Sequence, residues 1–334
     1  MAGVGHRPDL VAFAERLAAR ELLGTIGALN GDAEYVFGLI WDAHVTEHDE
    51  VLILDRQAAE VRAFDLSGTF LHAFGGRGEG PGELGSGQAL IEGGPSGADL
   101  VVVDQERGLQ LFRRGPEGYE YFDQFDPPLS VYSYGYDACA IEGRVVVHGA
   151  NLERPEVLYS FGDDGRVQAR FAATYRWNNY LAREALSRGR VTCVPSAGLV
   201  VLAFMHRGVL EAYDVESRVL VWNSLLEGVQ PAGVVELDAG ARIRSGILDD
   251  DFVHVQERLV GGDGTPIVAQ YSRWLRQDVI DQTGEHVLET FVIDPITGNG
   301  HYWSDELPRI VWLSDEYVLT LLPDPFPRVQ VFRY

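Results

Sequence analysis

The chain has 334 residues, 46% of them hydrophobic, and carries 27 basic against 50 acidic side chains, a formal net charge of −23. A field of that sign repels phosphate backbones and anionic membrane surfaces, so neither nucleic acid nor a membrane is an expected partner. All 27 basic residues are arginine, which excludes Schiff-base lysine chemistry, pyridoxal-phosphate attachment and the phosphate-loop lysine.

Residues 9–20 read as a short amphipathic helix: Asp9 can cap it, and Leu10, Phe13 and Leu17 share one face. Asp9, Glu15, Arg16 and Arg20 interrupt any apolar signal-peptide centre. With Met1 and no signal, the reading favours the cytoplasm. No stretch approaches the roughly 20 apolar residues of a membrane span.

From Glu21 onward a phrase repeats. Glu50–Asp55, Glu60–Asp65 and Thr69–Phe74 read as three consecutive strands, echoed by Leu100–Asp104 with Leu109–Phe112, by Val145–His148 with Val157–Phe161, and by Leu199–Phe204 with Val209–Tyr213. A self-similar unit of roughly 40–50 residues with several strands is the signature of propeller blades. The expected fold is all-β: a six-bladed β-propeller of four-stranded antiparallel blades over residues 21–334, preceded by a helical extension over residues 1–20. Strands are lettered A to D from the axis outward.

Blade one spans Leu39–Phe74, blade two Gln88–Phe125, blade three Tyr132–Phe171 and blade four Val191–Leu226. In blade five, Phe252–Glu257 is assigned as strand B, followed by an excursion through Gly261–Gly264 and a C–D hairpin over Asp278–Phe291 turning at Thr283–Gly284. Other C–D turns fall at Ser67–Gly68, Glu117–Gly118 and Asp163–Gly165, where glycine can take positive φ. Blade six has three strands, Arg309–Leu313, Tyr317–Leu322 and Arg328–Tyr334, so Glu21–Ile26 is expected to supply the fourth and close the ring, hiding two sheet edges. Cys139 and Cys193 fall on the innermost strands of neighbouring blades. Strands that splay around an axis should hold their Cα atoms beyond the disulfide limit of about 7 Å, so both are expected as free, buried thiols.

Phe74–Glu83, a glycine-rich phrase preceded by Val61–Asp65 and the Ser67–Gly68 turn, resembles the NHL-type six-bladed propellers common in bacteria. The resemblance is confined to blades one and two, and it implies architecture more than activity.

In such a blade the D–A and B–C connections emerge on one face around the channel mouth, where a rigid scaffold can present functional side chains. The expected ligand-binding set is Arg77, Glu79 and Glu83 after blade one, Tyr134 and Tyr136 after blade two, Trp177, Tyr180, Arg183 and Arg190 after blade three, and His301 and Trp303 after blade five. Aromatic rings interleaved with arginines and carboxylates suit a small polar or acidic ligand, or a peptide or protein segment. The stretch Arg166–Arg190 holds six arginines against the single acid Glu184, a local positive patch in a negative protein. The same residues also serve as ordinary loop packing and charge pairing. The phrase over Gly75–Gly82 lacks a following helix, so it is a turn motif and not a phosphate cradle.

His148, His206 and His254 lie at or just past strand B of blades three, four and five, and one ligand per blade could hold a divalent metal, as in the peptidylglycine amidating lyases. Their register drifts, however, and satisfied polar histidines are the expectation. Gluconolactonase-like and strictosidine-synthase-like propellers share the shape; Glu79 or Glu83 with Asn178 or Asn179 is the set the first would need. His44–His48 lies on a strand-to-turn region, so it is no helical zinc site, and no nucleophile elbow is present. The function expected is therefore non-catalytic ligand or protein binding on the D–A/B–C face, with no cofactor and no metal. The alternative is a metal-assisted lyase or hydrolase at the channel mouth.

Overall fold

The computed structural model describes residues 9–125, 137–149, 155–174, 183, 186–229, 233–237, 240–244, 252–275, 287–303 and 307–334. It begins with α1 (Leu10–Ala18), capped by the Asp9 carboxylate, which accepts from the Val11 and Ala12 amides at 3.1 Å, and continues into β1 (Glu21–Ile26). Blade one is β2 (Ile40–Val45), β3 (Glu50–Asp55), β4 (Glu60–Asp65) and β5 (Phe70–Gly75); blade two is β6 (Gly87–Glu92), β7 (Leu100–Asp104), β8 (Gly108–Gly115) and β9 (Gly118–Phe125). Blade three is β10 (Asp137–Ile141), β11 (Arg144–His148), β12 (Glu156–Phe161) and β13 (Val167–Ala173); blade four is β14 (Gly189–Val194), β15 (Leu199–Phe204), β16 (Val209–Asp214) and β17 (Leu220–Leu225). A separate hairpin, β18 (Gly233–Leu237) with β19 (Gly240–Arg244), precedes blade five, which is β20 (Phe252–Gly261), β21 (Ile267–Leu275), β22 (Val287–Ile293) and β23 (Gly300–Trp303). Blade six is β24 (Arg309–Leu313), β25 (Tyr317–Leu322) and β26 (Arg328–Arg333), completed by β1 in the order β1-β26-β25-β24.

The burial of each strand follows its place along the blade radius. Strand B is covered on both faces by neighbouring blades and therefore reads as an unbroken apolar run: Val51–Leu54 are all 0% exposed. The outer strand β5 alternates half-buried and exposed residues. Every gap between blades is filled by its own apolar cluster. Leu52, Leu54 and Val61 meet Leu90, Val102 and Phe112 between blades one and two, while Val51, Ile53 and Phe64 meet Leu319, Val329 and Val331 between blades six and one. Phe13, Ala14 and Leu17 of α1 are buried with Val268, Val292, Ile310 and Val318 over the junction of blades five and six.

Two expectations are corrected. In blade five, Phe252–Glu257 belongs to the innermost strand and not to strand B; β20 pairs with β21 from Phe252↔Leu275 to Gly261↔Ile267, and Gly261–Gly264 is the A–B turn. Apolar alternation looks alike on any strand, so the pattern of Phe252–Glu257 does not by itself tell strand A from strand B. The C–D turn runs through Asp294–Gly298, and His301–Trp303 lies on the outermost strand; the Thr283–Gly284 turn expected from sequence lies outside the described residues.

The cysteines are the second correction: Cys139 and Cys193 form a disulfide with Cα atoms 5.5 Å apart. Splaying separates the outer strands, but at the axis β10 and β14 approach as closely as side chains allow.

Ring closure is as expected, with Glu21↔Arg333 through Ile26↔Val329 paired antiparallel. Deleting residues 1–19 should lower stability by about 3–5 kcal/mol through lost burial of Phe13 and Leu17, while leaving a monomer. Deleting residues 1–27 also bares the β26 edge and should produce aggregates by light scattering; a monomer after the longer deletion would contradict closure. For the disulfide, alkylation under non-reducing denaturation should label no thiol. Replacing both cysteines by serine should cost about 3–4 kcal/mol in urea melts, given a span of 54 residues.

Candidate functional site

The six innermost strands surround a cavity of about 520 Å³. Its wall is built from Asp42–His44, Leu90–Glu92, Asp137–Ala140, Val191–Cys193, Leu259–Gly261 and Val311–Leu313, and its rim includes Pro195, Asp263 and Ser314 of the A–B turns. The described lining thus runs from the level of Asp42 and Asp137 to the A–B turns, on the face opposite the D–A/B–C loops.

Polar side chains at its base stitch one blade to the next. Asp42 accepts from the Leu90 amide at 2.8 Å, Asp137 from the Val191 amide at 3.0 Å, and Thr192 donates to the Gly261 carbonyl at 2.6 Å. Behind the aspartates, Arg258 donates to the Trp41 carbonyl at 2.9 Å, spanning from blade five to blade one. Burial pushes the Asp42 carboxyl up to about 6, against the pull of Arg258 and the Leu90 amide. Burial also raises Asp137, opposed by Arg190, the Val191 amide and Arg258. Arg258 itself falls to about 10, because burial and the like charge of Arg190 outweigh the attraction of Asp42. On the wall His44 meets Glu92 at 3.1 Å and stacks edge-on to Trp312 with ring centroids 5.2 Å apart. Burial works to raise Glu92, but the His44 hydrogen bond and charge and the Glu47 amide outweigh it and hold the carboxyl below its ordinary value.

The expected residues that fall among the described ones lie in separate places. Arg77, Glu79 and Glu83 share the loop after blade one; there Arg77 donates to the Gln57 carbonyl at 3.0 Å, Glu79 is exposed, and Glu83 accepts from the Gly80 amide at 2.6 Å. Gly82, at φ +77°, leaves no room for a side chain against Tyr121, which a Cβ would approach to 2.7 Å. Arg190 sits on the innermost strand β14, its Nε buried with no hydrogen-bond partner among the described residues. His301 and Trp303 occupy the outermost strand of blade five, three inter-strand spacings of about 4.8 Å away from its innermost one. The carbonyl of Arg183 accepts from Ser187 at 2.6 Å. Tyr134, Tyr136, Trp177 and Tyr180 lie outside the described residues, as do Asn178 and Asn179.

The histidines serve three separate places. His148 bonds the Ser187 carbonyl at 2.9 Å, where Asp55 and Asp104 in the aligned positions hold backbone amides such as Gly38 and Gly85 at 2.9 Å. His254, on the innermost strand, faces Glu289 at 3.2 Å. His206, in the turn after β15, is lowered to about 4 by burial and by Arg188. No group of three metal-ligating side chains occurs among the described residues.

Asp42, His44, Glu92, Asp137 and Trp312 were not singled out from sequence. The available signal was polar residues interrupting the innermost strands, as in Trp41-Asp-Ala-His-Val45 and Asp137-Ala-Cys-Ala-Ile141. Strand A borders the channel, and Asp42, His44, Glu92, Asp137 and Thr192 on it line the cavity.

Among solved structures the chain is similar to a putative exported protein from Bacteroides fragilis, at 11% identity over 95% of both chains with a TM-score of 0.59. It is also similar to a member of the DUF4221 family from Bacteroides vulgatus, at 12% identity over 94% of this chain and 98% of that one with a TM-score of 0.57. At these identities the likeness shows the fold alone, a six-bladed β-propeller. No protein-family model matches the sequence, and no curated protein matches it. No helix among the described residues is long and apolar enough to cross a membrane.

The raised Asp42 carboxyl sets a sign for stability against pH. Its folded value of about 6 exceeds the ordinary 3.8, so the folded state holds the proton more tightly and stability falls as pH rises from about 4 to 6. Asp42→Asn should therefore raise stability by about 2–3 kcal/mol at pH 7.5 and by little at pH 4, read from urea melts at both. Equal effects at the two pH values would contradict this assignment.

Proposed function

We propose that the protein is a non-catalytic binding propeller and that its ligand occupies the axial cavity. The observation that carries this reading is the cavity itself: about 520 Å³ on the propeller axis, with an aliphatic wall and a few polar groups held in place by blade-to-blade hydrogen bonds. That volume and lining are those of small-molecule sites. Of the D–A/B–C set expected from sequence, Arg190 is a described member that acts on Asp137 at the cavity base; a contribution of that face to recognition stays part of the proposal. So does the NHL-type affiliation, which rests on the Phe74–Glu83 phrase. The dispersed histidines lend no support to the metal-assisted alternative. The Cys139–Cys193 bridge supports an oxidising compartment in place of the cytoplasm expected from sequence.

Ala140 lines the cavity and is only partly buried, so Ala140→Phe should fill it at little cost to the fold. In a thermal-shift screen of mixed anionic, neutral and cationic small molecules, compounds should raise the Tm of the wild type and not of the variant. Equal shifts in both proteins, or none in the wild type, would refute the cavity as the binding site.

A further inference from the structure

We propose that the axial cavity binds an organic cation, with an ammonium or guanidinium group against the carboxylates of Asp42 and Asp137 and its carbon skeleton against Trp312 and the aliphatic wall. This rests on the reading of the cavity as a ligand site and names the ligand's class.

Among the described residues the lining carries four acids, Asp42, Glu92, Asp137 and Asp263, and no lysine or arginine; His44 is the one basic side chain among those described. The arginines that act on the aspartates, Arg190 and Arg258, are not part of the lining. The Asp42 Oδ2 takes the Leu90 amide, whereas no hydrogen bond reaches its Oδ1 among the described residues. Burial dominates its titration even with Arg258 nearby. A half-buried carboxylate with an oxygen that no described donor reaches gains from a ligand that brings both positive charge and N–H donors.

The wall supplies the second half of the argument. Trp312 lines the cavity and is partly buried, held by the edge-on contact with His44 and by packing against the cluster between blades six and one. An indole is the best aromatic partner for a cation, and the attraction strengthens where water is excluded. Around it, Ala43, Leu90, Ile91, Val191, Leu259 and Val311 provide apolar surface for a carbon chain. An anion would instead meet four carboxylates within a protein of net charge −23. A divalent metal would need clustered ligands, and none are grouped among the described residues.

The groups facing Asp42 set the pH response: Arg258 from β20, Asp137 from β10, His44 from its own strand, and the Leu90 amide from β6. With Asp42 titrating near 6 and the probes charged throughout, affinity should fall severalfold between pH 7.5 and pH 5.

The test is isothermal titration at pH 7.5 in 150 mM salt with agmatine, n-butylamine and tetramethylammonium, against butyrate and n-butanol as uncharged or anionic counterparts. The expected result is binding of the cations and not of butyrate. Asp42→Asn and Trp312→Leu should each weaken it about tenfold, and Ala140→Phe should abolish it. Asp263→Asn, at the exposed rim, gives a second carboxylate variant with little bearing on folding and should weaken binding two- to threefold. Glu227→Gln, an exposed acid away from the cavity, should leave it unchanged. If butyrate or butanol binds in an Ala140→Phe-sensitive way and the cations do not, the cavity reading stands and the cation assignment is overturned. If cations bind equally to wild type, Asp42→Asn and Ala140→Phe, the binding is diffuse attraction to an acidic surface and both are overturned. If none of the probes binds, the cation assignment is overturned.

Discussion

Everything in this molecule depends on closing the ring between β1 and β26. Each blade buries its strands by leaning on two neighbours, so a break anywhere would strip one face from two blades at once and bare an unpaired edge. The junction of blades six and one carries that load: Ile26, Val329 and Val331 share one apolar cluster with Val51, Ile53 and Phe64. The backbone pairing is reinforced by close approach, since Gly24 has the Leu66 carbonyl 2.8 Å from where a side chain would begin. The α1 helix then covers the adjoining seam between blades five and six, so both ends of the chain are tied into the same region.

Closure also explains why polar groups survive near the axis. Six strands brought around one line cannot pack to solid density as two sheets can, and the space left becomes the cavity. Aspartates at its base satisfy backbone amides of the next blade that have no sheet partner there, as Asp42 does for Leu90 and Asp137 for Val191. Using a carboxylate for this task has an electrostatic consequence. The arginines placed nearby offset only part of the desolvation, leaving Asp42 and Asp137 raised and Arg258 lowered, all three pressed toward neutrality by the same burial. A hydrogen-bond role and a capacity to respond to a ligand therefore reside in the same groups.

How much of this was legible in the sequence depended on how many residues spoke for each element. Blades one, two, four and six were placed within a few residues because a doubly buried strand B leaves a run such as Val51–Leu54 or Leu199–Phe204, and in blades one and two a terminal aspartate also marks its end. Asp55 and Asp104 are that mark because each holds several backbone amides at once. In blade five the innermost strand, Phe252–Gly261, is as long and apolar as a strand B, so its first half was taken for one. The cysteine pairing was missed for a geometric reason: distance between neighbouring blades varies with radius, and sequence does not report radius. The site was read from loops, where aromatic and charged residues are conspicuous. The cavity is lined instead by short strands whose polar residues look like defects in an apolar pattern.

The position of the cavity along the axis bears on what kind of binding it can support. Its lining stops at Asp42 and Asp137, with Arg258 reaching across behind them to Trp41, so the described space opens at the A–B end. Under the proposed reading, a ligand entering there would meet charge at the far end and apolar wall along the sides, an arrangement that would fix the direction in which a molecule with one polar head inserts. The disulfide and the Thr192–Gly261 hydrogen bond hold three of the six wall strands at fixed separation. The wall is thus preorganised where β10, β14 and β20 meet, and less ordering is left to be done on binding. Such rigidity suits selective retention of a small molecule better than accommodation of a large and variable partner.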